Sequence, residues 1–377
     1  MNDTQGAEAD CICAVPDGIA QESDANNAEA ARLPALRDRK RREFLKNAVL
    51  AGVAAGTGGV AASVEVHAAP PEGWPMSQTW FPSRWGAEDQ AGASNLMTPA
   101  KALQAVSLMK TGKVYSLGRV YEAGMPFFGT RGWNLKIPGA PFIGPLGRNK
   151  IIANEEYLCT EIGQVGTQFD GLAHIGVESK GASDNSGKLY YNGFNALDVH
   201  GPFGMKKLGV EHCKPFVTRA VLFDVKALKG RNLNRGEEIT PQDLKDALSR
   251  QKMSDSDFTE GDVALIRCGW GDLWMVDNKK YYDGEPGVGL DACQWLIDKG
   301  ACMIAADNWG VEVLPPGDST LSFPCHQLCL TMHGVYLFEN LNLDAPASEG
   351  IYQAAFIFSP LPIKGATGSP GNPLLIA

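Results

Sequence analysis

Two periods of apolar patterning run along the chain. The stretches 220–225, 263–268 and 301–306 are short, near-continuous apolar runs, as in Val263-Ala-Leu-Ile-Arg-Cys268. Runs of this length read as buried strands. Residues 114–121 alternate instead, the other strand pattern. Helical signals lie between them. Thr98 supplies an N-cap, Pro99 a first helical residue and Gly112 a stop. Thr240 and Pro241 repeat that start for a helix reaching about Arg250, and a third helix covers 290–299 and ends at Gly300. Residues 323–333 predict a fourth helix, with Pro324 near its start and Gly334 at its end, followed by a strand over 335–341. Strands alternating with helices predict an α/β domain.

Residues 1–30 are polar and acidic without periodicity, which predicts disorder. Arg39-Lys-Arg-Arg-Glu-Phe-Leu-Lys46 then precedes an uncharged run rich in Ala and Gly, 47–64, and Val66-His67-Ala68 suits a small-residue cleavage site. Arg41-Arg42 followed by Glu-Phe-Leu-Lys reads as a twin-arginine export signal. The expected organisation is a disordered leader and signal over 1–69 and one domain over 70–377, delivered to the periplasm. The Gly, Ser and Thr content of 47–64 argues against a stable membrane span, and no other stretch is apolar enough for one. Residues 70–97, rich in Trp, Pro and Gly, read as an arm wrapping the domain or a partner subunit, and a homo-oligomer is expected. Residues 122–150 hold many Gly and Pro with Phe127, Phe128, Trp133 and Phe142. They form either a pocket wall or lid, or an ordered surface loop. Residues 178–200 are polar and loop-like.

The formal net charge of −9 disfavours nucleic acid as a partner and leaves a small-molecule substrate. Cys11 and Cys13 belong to the leader. The others, at 159, 213, 268, 293, 302, 325 and 329, are odd in number and scattered, which is not a disulfide framework. Most sit in apolar runs as packing residues. Cys325 and Cys329 flank His326, where a thiolate ligand is the alternative to core packing.

Chemistry concentrates in Glu161-Ile-Gly-Gln-Val-Gly-Thr-Gln-Phe-Asp-Gly-Leu-Ala-His-Ile-Gly176. On an extended strand Gln164, Gln168 and Asp170 share one face, with Gly166 leaving room between them. Oxygen donors on one face suit a divalent metal. Gly171 lets the chain turn so that His174 can approach the same face as a general base. The competing reading is a polar edge strand ending in an Asp-Gly turn. A second cluster lies downstream, with His326 at a helix start and Glu339 in an otherwise apolar strand. A buried Glu needs a partner, either a metal or a paired Arg or Lys. Asp307-Asn-Trp-Gly-Val-Glu312 follows the strand at 301–306. It either lines a site or has a structural role, with Asp307 holding a turn and Glu312 in a salt bridge. His333, later on the same helix as His326, is a supporting group or a satisfied helix-end residue.

The stretch Gln164-x-Gly-Thr-Gln168-x-Asp170-x-Leu-x-His174 resembles the signature His-x-Gly-Thr-His-x-Asp-x-Pro-x-His of the metal-dependent cyclases and kynurenine-formamidase-like hydrolases. The Gly-Thr, the Asp and the last His match. Both earlier His positions are Gln and the Pro is Leu, which places the chain nearer the branch containing trans-dienelactone hydrolase. Gly-Ala-Ser-Asn-Leu-Met-Thr-Pro99 and Glu339-Asn-Leu341 also match the family. The resemblance implies a swivelling β/β/α fold, a mixed β-barrel-like core with flanking helices. It also implies that His326 and Glu339 complete a metal site with Asp170, with Gln168 as a fourth ligand. Neutral Gln in place of His favours Mn²⁺ or Zn²⁺ with a water ligand over a tight structural zinc. Gln164 is a weaker candidate. The expected activity is opening of a lactone or cyclic amide in a small compound, with His174 moving the proton. One alternative is arylformamidase activity on N-formylkynurenine, against which the two Gln residues and the exported location weigh. Another is a periplasmic binding protein without catalysis, against which His174 weighs.

Overall fold

Nine strands form one mixed sheet in the computed structural model, which describes residues 80–138, 143–178 and 187–377. The leader, the twin arginines, residues 70–79 of the arm and Phe142 lie outside the described residues. In chain order the strands are β1 (Val114–Ser116), β2 (Gln168–Asp170), β3 (Phe216–Asp224), β4 (Val263–Arg267), β5 (Met303–Ala306), β6 (Tyr336–Glu339), β7 (Gln353–Phe358), β8 (Gly368–Pro370) and β9 (Leu374–Ile376). Their order across the curled sheet is β1-β9-β7-β3-β4-β5-β6-β2-β8. This curled sheet with its flanking helices is the expected barrel-like α/β core.

The middle of the sheet is parallel. β3, β4, β5 and β6 are neighbours in sequence order and all run the same way. Parallel neighbours need long crossovers. The first two crossovers are helical: α1 (Pro99–Val106) precedes the first strand, α2 (Pro241–Arg250) joins β3 to β4, and α3 (Leu290–Asp298) joins β4 to β5. Thr98 caps α1, and α2 starts with a capping box in which Thr240 and Asp243 satisfy each other's backbone N–H. The apolar runs read as strands are buried on both faces, as parallel strands must be.

The third crossover, from β5 to β6, carries α4. Pro324–His326 wind as an α-helix and Gln327–His333 continue with π winding, ending at Gly334 with φ 65°. π winding is rare and concentrates at functional sites. It also changes the face on which His333 falls, so His333 does not share the His326 face as an α-helix would place it.

Four sequence expectations need correction. The strand expected at 114–121 ends at Ser116, because Arg119 N turns aside to the Thr167 hydroxyl at 2.9 Å. The first helix ends at Val106, and turns cover the residues to Gly112. Residues 122–150 are not one loop. Trp133–Lys136 pairs with Tyr157–Thr160, and Ile143–Leu146 with Ile151–Ala153, as two antiparallel ribbons. Finally, Gln164 to Asp170 is not one extended strand. Gly166 has φ 64°, and a Cβ there would meet the Tyr121 ring, so the chain turns before β2 begins at Gln168.

A buried ion network ties α1 to the sheet. Asp262, fully buried, accepts from Lys101 Nζ at 2.5 Å and from Arg219 Nε and Nη2 at 3.1 and 2.5 Å. No helix among the described residues is long and apolar enough to cross a membrane.

Candidate metal centre

β2 and β6 run antiparallel, with Gln168 opposite Glu339 and Asp170 opposite Leu337. Alternation then places Gln168, Asp170 and Glu339 on one face. Phe169 and Phe338 fall on the other face, within 5.8 Å of each other in an aromatic core with Tyr336 and Phe358. Each such fully buried ring stabilises the fold by roughly 1.5–3 kcal/mol. This alternation is what lets a three-residue strand carry two polar residues beside a hydrophobic core.

His326 reaches the same place from α4. Its Nε2 lies 3.5 Å from Asp170 Oδ2 and 3.3 Å from Glu339 Oε1. Asp170, His326 and Glu339 are all buried, and their ligand atoms fall within 4.8 Å of one another. Gln168 Nε2 donates to Glu339 Oε2 at 2.6 Å, and Gln164 Nε2 donates to Asp170 Oδ1 at 3.3 Å. Gln164 therefore arrives at the cluster, though through a turn and not along a strand. The chain also turns at Gly171, whose carbonyl accepts from His174 N at 3.0 Å. That turn brings His174 Nε2 to 3.9 Å from Asp170 Oδ2. About a fifth of the His174 side chain is exposed, which makes it the open edge of the group.

Glu312 was expected in a salt bridge, and it does something more specific. Its Oε1 accepts from His326 Nδ1 at 2.6 Å and from His326 N at 2.9 Å, and its Oε2 accepts from Cys325 N at 3.1 Å. It caps the start of α4 and fixes the imidazole so that Nε2 faces the two carboxylates. Asp307 has the structural role foreseen for it. It accepts from Cys268 N and Gly269 N, each at 2.8 Å, and from the Cys268 thiol at 2.9 Å. Asn308 holds the loop between them through Pro286 O and Val311 N. Val311 stands at φ 63° and Phe323 at φ 49°. The left-handed region is strained for a β-branched or bulky residue, and such strain clusters at functional sites.

The charges are strongly linked. Burial pushes the Glu339 carboxyl up to about 7, and the nearby Asp170 charge adds to this. Burial also pushes against ionisation of Asp170, but the nearby imidazoles of His174 and His326 and the Arg131 guanidinium hold its pKa below the ordinary value. His326 is raised well above the ordinary imidazole range, the three facing carboxylates overcoming burial. Burial lowers His174, which keeps it neutral and able to accept a proton. Cys325, pushed up to about 12 by burial, stays a thiol. The cluster includes neither it nor His333.

The donor set fits a divalent cation. Asp170 Oδ2 and Gln164 Oε1 are buried acceptors without a hydrogen-bond partner. Unsatisfied buried acceptors are costly, and a cation between them removes the cost. Two carboxylates, one imidazole held by its far nitrogen and amide oxygens make an oxygen-rich site of borderline type.

Residues 115–313, more than half of the chain, match the Cyclase family model described as "Putative cyclase". The protein belongs to the cyclase family. A solved structure of a novel cyclase is 30% identical, covering 78% of this chain and 96% of its own at a TM-score of 0.67. Isatin hydrolase A from Labrenzia aggregata, bound to benzyl benzoate, is 20% identical, covering 73% of this chain and 99% of its own at a TM-score of 0.51. An isatin hydrolase bound to the product analogue thioisatinate is 17% identical, covering 74% and 99% at a TM-score of 0.50. These last two share the fold. No curated protein matches the chain in sequence. In this cyclase-family fold Glu339 is the last residue of β6, at the carboxyl end of the parallel strands, the end at which open α/β sheets bind ligands.

Proposed function

We propose that the protein is a metal-dependent hydrolase that opens a lactone or cyclic amide of a small compound. The convergence of Asp170, His326 and Glu339 on one buried point, with Asp170 Oδ2 unsatisfied, carries this reading. Those three side chains, with Gln168 through its amide oxygen, would hold one divalent ion, Mn²⁺ or Zn²⁺ by donor type. When bound, the ion supplies Lewis acidity at the substrate carbonyl and acidifies water beside it. Glu312 keeps His326 aimed. His174 Nε2 accepts the proton of the attacking water and returns it to the leaving oxygen or nitrogen as the ring bond breaks. The motif resembles that of the branch with trans-dienelactone hydrolase, which supports the reading of ester or cyclic amide opening. The test is turnover of lactones and arylformamides by protein stripped with a chelator and then reloaded with Mn²⁺ or Zn²⁺. Lactone opening restored by metal supports the reading. Turnover indifferent to the chelator sinks it, and metal-dependent turnover of arylformamides alone points to formamidase activity.

We also propose that 1–69 is a leader and twin-arginine signal, that 70–377 is the exported domain, and that the mature protein is a periplasmic homo-oligomer. The motive is Arg41-Arg42-Glu-Phe-Leu-Lys46 ahead of a weakly apolar run. Replacing both arginines, Arg41→Lys with Arg42→Lys, should hold the protein in the cytoplasm. Mature protein still reaching the periplasm would count against the export route.

A further inference from the structure

Trp309 is 7% exposed, yet its indole N–H has no hydrogen-bond partner. A buried donor left unmatched is uncommon and unfavourable. The backbone around it is nevertheless tightly held. Trp309 N donates to Glu285 Oε2 at 2.7 Å, and Asn308 is bonded to Pro286 O at 2.6 Å and to Val311 N at 2.9 Å, beside the strained Val311. The loop therefore fixes one indole in place while leaving its polar atom free.

The surroundings of that ring suggest a purpose. Phe128 stacks on it with centroids 5.0 Å apart and planes at 22°, and Tyr282 lies 5.1 Å away. Phe323 is at 6.3 Å, and Phe323 in turn meets the His326 ring edge-on at 5.3 Å. This aromatic box therefore adjoins the metal cluster through one shared ring. Arg131 rests on the same Phe128, its guanidinium 5.4 Å from the ring centroid, and donates from Nη1 to Gln164 O at 3.0 Å. Among the described residues Arg131 makes no ion pair with a carboxylate, which leaves its other N–H groups for a ligand. Its charge also bears on Asp170, His174 and Glu339.

Ring opening creates a carboxylate where a neutral carbonyl stood. A divalent ion balanced by Asp170 and Glu339 has no net charge left to meet it, so a second cation is needed nearby. We propose that Trp309 and Arg131 form the recognition subsite of this centre. A planar aromatic ring packs against the cluster of Trp309, Phe128 and Tyr282, and the indole N–H binds an oxygen of a substituent on that ring. Arg131 binds the carboxylate that hydrolysis releases. This last role rests on the hydrolase reading, whereas the aromatic preference does not.

The probe is 2-(hydroxymethyl)benzoate, the ring-opened form of an aromatic lactone, with 5-hydroxypentanoate as its aliphatic counterpart. Calorimetric titration into the metal-loaded full chain should show the aromatic acid binding at least about tenfold more tightly, from ring stacking. Trp309→Phe keeps the stack and removes the N–H. Arg131→Gln removes the charge. Trp309→Phe should weaken binding by roughly threefold to tenfold, the loss of a neutral hydrogen bond, and Arg131→Gln by roughly tenfold or more, since hydrogen bonds to charged groups are the strong ones. Arg131→Lys should recover part of the loss, and metal content and thermal midpoint should stay those of the parent. Equal binding of both acids by the parent would overturn the subsite, as would unchanged binding in both variants. Binding is read without turnover. A protein that binds as described but opens no lactone keeps the subsite and loses the hydrolase reading. An active protein whose variants bind normally does the reverse.

Discussion

Unlike Asp170, His326 and Glu339, His174 is partly open to solvent, and among the described residues nothing holds its ring as Glu312 holds that of His326; Asp170 Oδ2 lies 3.9 Å away. This is the placement expected of a group that moves a proton and not of one that fixes an ion. His174→Ala should therefore retain metal and lose roughly 10²–10⁴-fold in rate, the range for removing a positioned proton-transfer group. Metal content and turnover on the same preparation separate the roles. Loss of metal would make it a ligand, and full metal with full activity would make it a packing residue. At this scale the sequence spacing already singled out Asp170, His174, His326 and Glu339. Spacing carries no such signal for the roles of Glu312, Trp309 and Arg131. Their roles depend on a left-handed Val311, on contacts between distant loops and on a ribbon, and no local pattern encodes those.

At the scale of elements, local signals did best where they are chemical. Thr98-Pro99 and Thr240-Pro241 start helices as caps and proline predict, and Gly334 ends one in the left-handed conformation. The continuous apolar runs became the parallel strands. Periodicity failed where tertiary contact overrides it. The alternating 114–121 and 164–170 each keep only three residues of strand, because Arg119 and Thr167 bond to each other and to the Asn340 carbonyl and draw both segments out of the sheet. The π winding of α4 leaves no sequence trace of its own. One element-level contact is open to measurement. Asp262 joins Lys101 of α1 to Arg219 of β3, and all three are largely or fully buried. Asp262→Ala should destabilise the protein by about 3–5 kcal/mol, the cost of leaving buried charge uncompensated. Denaturant unfolding measures this directly. A change under about 1 kcal/mol would mean that water reaches Lys101 and Arg219 and replaces the carboxylate.

For the whole molecule, a curled sheet gathers residues separated by about half the chain onto one point. The parallel strands present their carboxyl ends, β2 inserts antiparallel beside β6, and α4 lowers an imidazole between the two carboxylates. Alternating strands and helices made the fold class legible, and paired motifs made the centre legible. The order of strands was not, because which strands pair depends on crossovers that composition does not encode. The most direct test is the metal content of folded, purified protein at about pH 8, above the pKa of about 7 that burial gives Glu339, so that this carboxylate is ionised. Elemental analysis should find one equivalent of Mn or Zn per chain in the parent, and almost none in His326→Ala or Glu339→Ala proteins that keep the parent's circular dichroism. A full equivalent of metal in either variant would contradict the account.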